Sequence, residues 1–275
     1  MSHTSRAICG ALCGALCGAA LAMLALLVTT NKPAQAQEPE HQLVFHGYSI
    51  ECPWPVPTAK YNFYCFVPRY EQAYEQERGV PAKTNNFWQP GQRTAELRAW
   101  LTKYPTQFRA YHQDAEVLVM DIGGFDIRDI WYQLYRRGKC GPPQDNERCF
   151  RLGLEKFKED YNWITARLAA DKGPQTRQVN IALYRWDVER DKALDTDRDG
   201  TNDHEDLAEW WNGMNEHINS RSAELGVPVV DLYHEANGPT GLETSPKELD
   251  WVSTDRRHTN LKGAEAIRDR VLSAD

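Results

Sequence analysis

The sequence predicts an α/β fold, a three-layer α/β/α sandwich around a central parallel sheet. Three observations predict it. Short apolar runs alternate with longer amphipathic stretches along the chain, the pattern that builds a parallel sheet with helices on both faces. The clearest run, residues 115–122, is mostly apolar, as expected of a strand covered on both faces. The candidate functional residues fall just past the ends of the first three apolar runs. Open α/β sheets bind their ligands at that carboxyl edge.

The elements follow in order. Residues 42–46 form a short apolar run that stops at Gly47, a first strand. Residues 52–80 mix aromatics and prolines without a period and read as a covering loop, with a helix around 71–78. Residues 84–88 are a short second strand. Residues 94–101 have helical spacing. Strand 115–122 comes next, then a helix after Ile127 and a loop between Cys140 and Cys149. Residues 150–170 read as a long amphipathic helix. A strand at 178–184, a helix at 205–225 and a last strand at 227–232 complete the alternation. Asn260 caps the final helix, which carries Leu261, Ala264, Ile267 and Val271 on one face. Right-handed crossovers then distribute the helices over both faces.

Residues 1–36 are read as a secretory signal peptide. Arg6 precedes an apolar run from 7 to 28, and Ala34-Gln35-Ala36 is a small-x-small cleavage signal. The run is also long enough to serve as an uncleaved anchor, but Pro33 and the small exit residues favour cleavage after Ala36. Cleavage leaves residues 37–275 as one domain, exported and without stable membrane insertion. The leader holds two basic and no acidic residues, so a net charge of −7 becomes −9 in the remainder. That acidity argues against nucleic acid as the main partner.

Cys9, Cys13 and Cys17 lie in the leader, and Cys52, Cys65, Cys140 and Cys149 follow it. An even number in an exported chain points to two disulfides, with three connectivities open. Nearest-neighbour pairing, 52–65 and 140–149, closes two short loops and is the one expected. A metal site would need tighter Cys-x-x-Cys spacing, which is absent.

Four short blocks carry the chemistry: Gly47-Tyr48-Ser49, Pro90-Gly91, Gly123-Gly124-Phe125-Asp126 and Asp255-Arg256-Arg257-His258. A serine hydroxyl is a poor nucleophile until a neighbouring imidazole takes its proton. The imidazole in turn needs a group that fixes its tautomer and stabilises the imidazolium. Ser49, His258 and Asp255 supply those three parts. The oxyanion that forms needs donors aimed at it, and the amides of Ser49 and Gly91 offer two. Taken singly, Gly-x-Ser is most often a turn and Asp-x-x-His a cap or a surface pair. The order of the four blocks and their placement carry the reading.

In that order the blocks resemble the SGNH/GDSL hydrolase superfamily, over essentially the whole length after the leader. The resemblance implies the flavodoxin-like sandwich of SGNH hydrolases, with Ser49 as nucleophile, His258 as base, Asp255 as its partner and no organic cofactor. It gives Gly91 the oxyanion role of the family's second block. Two positions depart from the family. Tyr48 replaces the aspartate of its Gly-Asp-Ser turn. Phe125 replaces the asparagine of its Gly-x-Asn-Asp block, which removes one oxyanion donor.

A separate motif runs from Asp195 to Asp206. Asp195, Asp197, Asp199, Thr201, Asp203 and Asp206 occupy positions 1, 3, 5, 7, 9 and 12 of an EF-hand-like calcium loop, with Gly200 at position 6. Aspartate at the last position resembles thrombospondin type 3 repeats more than a true EF-hand. Calcium there is expected to order a wall of the cleft and to take no part in chemistry. Of the nearby tryptophans, Trp210 and Trp211 are expected in the core, and Trp186 is open.

The function expected is an exported serine ester hydrolase acting on a lipid, an acetylated sugar or another small ester. The aromatic-rich residues 54–66 hint at an apolar or sugar-stacking surface. The alternatives are a non-catalytic domain of the same fold that binds glycan or lipid, and an O-acyltransferase.

Overall fold

A five-stranded sheet organises the chain. The computed structural model describes residues 40–48, 64–142 and 145–274. The leader, the nucleophile candidate Ser49, Cys52 and most of the aromatic-rich stretch lie outside these residues.

The strands are β1 (His41–His46), β2 (Ala82–Asn86), β3 (Ala115–Met120), β4 (Arg177–Ala182) and β5 (Val229–Asp231). All adjacent pairs are parallel, in the order β2-β1-β3-β4-β5. This is the flavodoxin-like order, with its switch point between β1 and β3. The inner strands are buried along consecutive residues, 43–46 in β1, 117–120 in β3 and 178–182 in β4. Both faces are therefore covered, as the apolar runs require.

The helices are α1 (Val67–Arg78), α2 (Thr94–Lys103), α3 (Pro105–Gln113), α4 (Gly124–Gln133), α5 (Arg148–Asp171), α6 (Val188–Lys192), α7 (Asp203–Asp206), α8 (Ala208–Leu225), α9 (Leu232–Asn237) and α10 (Leu261–Ser273). Asn260 caps α10, its side chain accepting from the Gly263 amide at 3.0 Å. Ala264, Ile267 and Val271 face the core, while Leu261 stays partly exposed at the first turn.

Sequence and structure differ at several boundaries. The helix expected around 71–78 begins at Val67, four residues earlier. The helix expected after Ile127 begins at Gly124. The second strand ends at Asn86 and not at Trp88, because the chain there turns toward Gly91. Helix α3 was not expected: Pro105 takes its first turn, where a missing N–H costs nothing. The last strand shortens to three residues, since Asp231 caps α9 by accepting from the His234 amide. Trp210, Trp211 and Trp186 are all buried.

Cys140 and Cys149 form a disulfide, as nearest-neighbour pairing expects. Cys65 is also disulfide-bonded, and Cys52, the partner expected for it, lies outside the described residues. Among the described residues, no helix is long and apolar enough to cross a membrane.

Candidate active site

Parallel strands put the ends of β1, β2 and β3 on one edge, and three of the four sequence blocks converge there. The amide of Gln89 donates to the Gly47 carbonyl at 3.1 Å, holding the segment after β2 beside the turn after β1. Gly91 has φ +67°, a left-handed conformation that suits glycine. A Cβ there would come within 3.3 Å of the Phe125 ring, so the third block lies directly against the second.

Asp126 fixes that contact. Its carboxylate accepts from the Thr94 amide at 3.1 Å and from Thr94 Oγ1 at 2.6 Å, tying the start of α4 to the start of α2. Burial pushes the Asp126 carboxyl upward, against the opposing pull of these two donors.

Phe125 packs edge-on to Tyr48, with ring centroids 5.4 Å apart, and lies equally close to Trp186. Tyr48 and Trp186 are 2% and 3% exposed. A Cβ on Gly124 would collide with Trp186 at 2.6 Å, so only glycine admits the indole. Tyr48 and Phe125 thus form one aromatic cluster with Trp186.

The loop that carries Asp255 and His258 reaches the same edge from beyond β4. The Asp187 amide donates to the Arg256 carbonyl at 3.3 Å, and Tyr184 Oη donates to the Arg257 carbonyl at 3.1 Å. His258 Nδ1 and Asp255 Oδ2 are 2.6 Å apart. Asp255 also accepts from Ser253 Oγ at 2.7 Å and from the amides of Arg257 and His258, both at 3.0 Å. Burial alone would raise the Asp255 carboxyl. The hydrogen bonds from His258, the Arg257 amide and Ser253 outweigh it, so the group lies well below the usual carboxylate range. It is an anion at neutral pH, and with Nδ1 bound to it, Nε2 is the nitrogen left to act as base.

Two features escaped the sequence reading. Asp231-Leu232-Tyr233-His234 repeats the Asp-x-x-His spacing, and its Oδ2 and Nδ1 are 2.7 Å apart. Both aspartates accept from the amide of their own histidine, so the spacing is first of all a capping geometry. Only His258 sits in the loop held against Tyr184 and Asp187. The second feature is Asp121, fully buried two residues before Gly123. Burial raises its pKa well above the ordinary carboxylate value. An acid within the apolar run 115–122 was its only sequence signal.

The acidic loop keeps its own company. Carboxylate oxygens of Asp195, Asp197 and Asp199 lie within 4.8 Å of one another, with Gly200 at φ +97°. Asp203 is buried and occupied, accepting from Thr196 N and Oγ1, both at 2.7 Å, and from Trp131 Nε1 at 2.9 Å. Asp206 accepts from Tyr135 Oη at 3.1 Å. Asn146, inside the loop closed by the disulfide, donates to Asp197. These neighbours belong to the far end of α4 and the disulfide loop, away from Gly91 and Phe125.

No protein-family profile matches the chain, and no curated protein matches it. Solved structures do. A lipase from a goat rumen metagenome superposes with a TM-score of 0.60 at 18% identity, over 85% of this chain and 97% of its own. A GDSL-like lipase of Parabacteroides merdae gives 0.57 at 15% identity, over 86% and 95%. An acetylxylan esterase of Geobacillus stearothermophilus gives 0.54 at 13%, over 84% and 92%. Over nearly their whole length, this chain has the fold of these lipases and esterases.

Proposed function

We propose that the protein is a serine ester hydrolase of the SGNH type. The observation that carries this is the Asp255–His258 pair, held by the Tyr184 and Asp187 contacts at the sheet edge where the turns after β1, β2 and β3 end. The fold shared with lipases and acetylxylan esterases supports it. Ser49 attacks the acyl carbonyl carbon as His258 Nε2 takes its proton. Asp255 holds the imidazole tautomer and stabilises the imidazolium. The amides of Ser49 and Gly91 hold the oxyanion. Collapse of the tetrahedral adduct breaks the ester bond, and His258 returns its proton to the leaving alkoxide. Water, deprotonated by His258, then releases the acid from the acyl-enzyme.

Calcium has a structural place in this proposal. Asp195, Asp197 and Asp199 offer the hard oxygen donors the ion takes, with Thr201 and Asp206 further along the loop. Asp203 serves as the buried brace of the loop. An exported protein meets enough calcium to fill even a weak site of this kind.

The test is hydrolysis of short-chain chromogenic esters by the mature protein beside Ser49→Ala. Activity that disappears in the variant is expected. A folded protein as inactive as Ser49→Ala, across several acyl lengths, would transfer the fold to a binding role.

A further inference from the structure

The base-bearing loop is tied to a cluster of guanidinium groups gathered on two rings of α4. Arg190 donates to Tyr132 Oη at 3.1 Å, and Arg257, the neighbour of His258, donates to the same oxygen. Arg257 Nε also donates to Asp187 at 3.0 Å. Arg136 and Arg190 lie over the Trp131 ring at 4.8 and 5.0 Å from its centroid, and the buried Arg128 lies at 4.2 Å.

Carboxylates are short here. Asp187 is shared between Arg128 and Arg257, and Asp191 between Arg128 and Arg185. Arg136, Arg137 and Arg190 form no ion pair among the described residues. That is unusual company for a chain with 39 acidic against 32 basic residues. Beside them opens a cleft of about 420 Å³ lined by Tyr132, Gln133, Arg136 and Arg137. Helix α4 starts at Gly124, in the site, and Tyr132 lies about 12 Å further along it at roughly 1.5 Å per residue. Arg257 joins the cleft to the site, since it donates to Tyr132 of the cleft lining and directly precedes His258.

We propose that this cleft holds a carboxylate carried by the substrate, which makes the substrate an O-acylated acidic saccharide. The proposal rests on the ester-hydrolase reading and specifies its substrate class. Guanidinium forks match a carboxylate with two parallel N–H donors. Gln133 and Tyr132 add polar groups for neighbouring hydroxyls.

The experiment compares two O-acetylated oligosaccharides that differ only in carrying uronate or neutral hexose units. Each is tested with the full mature protein and with the Arg136→Gln/Arg137→Gln variant. The wild type is expected to favour the acidic substrate in kcat/KM by about tenfold, the effect of one charge-assisted hydrogen bond. That preference should shrink with salt and fall near unity in the variant, while the neutral substrate is hydrolysed at an unchanged rate. Equal kcat/KM for both substrates in the wild type, or an undiminished preference in the variant, overturns the proposal. Ser49-dependent hydrolysis of the neutral substrate checks the ester-hydrolase reading separately. If that reading fails, calorimetric binding of the same two oligosaccharides still decides the role of the arginines. A preference for the acidic one that the variant loses supports it, and indifference overturns it.

Discussion

Phe125 stands where an amide donor is expected, and its ring fills the space above Gly91. Two consequences follow from that one side chain. On the proposed mechanism the oxyanion has two backbone donors where three are usual, and a missing donor typically costs about 10²–10³ in kcat. The ring also packs against Gly91, so the placing of that donor depends on it. Phe125→Asn should therefore raise kcat, by about tenfold or more where the amide reaches the oxyanion. It should also lower stability by about 1–3 kcal/mol, because the contacts with Tyr48 and Trp186 are lost. Ester kinetics beside a denaturant melt would read both. An unchanged or lower kcat in a folded variant would mean that the aromatic cluster is itself part of the catalytic design. At Asp255 the expectation runs the other way. Asp255→Asn keeps most of the cap but presents an amide to Nδ1, which destabilises the tautomer the base needs. A fall in kcat of about 10²–10⁴ with little change in KM is expected. A loss confined to KM would place the pair in binding.

At the scale of elements, the unexpected helix α3 joins β1 through two buried histidines. His46 ends β1, immediately before the candidate nucleophile turn, and its Nε2 lies 2.9 Å from Nε2 of His112 in α3. Neither ring is exposed. Burial, and the charge of the His112 partner, push His46 well below its ordinary value. Burial lowers His112 to about 4, although the nearby Asp171 opposes it. The unfolded chain therefore binds protons at pH values where the native pair does not, so the pair's contribution to stability is greatest above about pH 6.5 and falls as the pH drops toward 4. For His112 alone the loss amounts to about 3 kcal/mol at about 1.4 kcal/mol per pKa unit. His112→Leu, which fills the same apolar space beside Phe108, should flatten that part of the curve. Urea melts at pH 7, 5.5 and 4.5 would show it, and parallel curves for the two proteins would assign the acid sensitivity elsewhere.

For the whole molecule, the sheet was legible because its inner strands are buried on both faces, and burial on both faces leaves continuous apolar runs. The shared edge was legible for the same reason: locating β1 and β3 also locates the turns after them. Boundaries were less so. Helix α4 starts at Gly124, where glycine is needed beneath Trp186, a contact between distant segments that no local pattern announces. The guanidinium cluster escaped for a similar cause, since Arg136, Arg190 and Arg257 are far apart in the chain and meet only on the rings of α4. The acidic loop was the reverse case, plain in sequence because all its carboxylates are local. It also makes a prediction for the stability of the entire fold. Oxygens of Asp195, Asp197 and Asp199 lie within 4.8 Å of each other, and their mutual repulsion opposes folding until a cation offsets it. Asn146 couples the loop to the Cys140–Cys149 segment, and Asp203 couples it to Trp131 of α4, so strain there is felt by the packed core. Calcium binding to the folded loop alone would stabilise the protein by about 2.7 kcal/mol at a hundredfold excess over Kd. The melting temperature is thus expected to rise with added calcium, to fall with a chelator, and to lose both responses in Asp197→Asn. Magnesium should be a weaker substitute, since it demands tighter octahedral geometry and gives up its water reluctantly. A melting temperature indifferent to calcium, chelator and the substitution would leave the loop a solvated acidic turn, braced by Asp203 and requiring no ion.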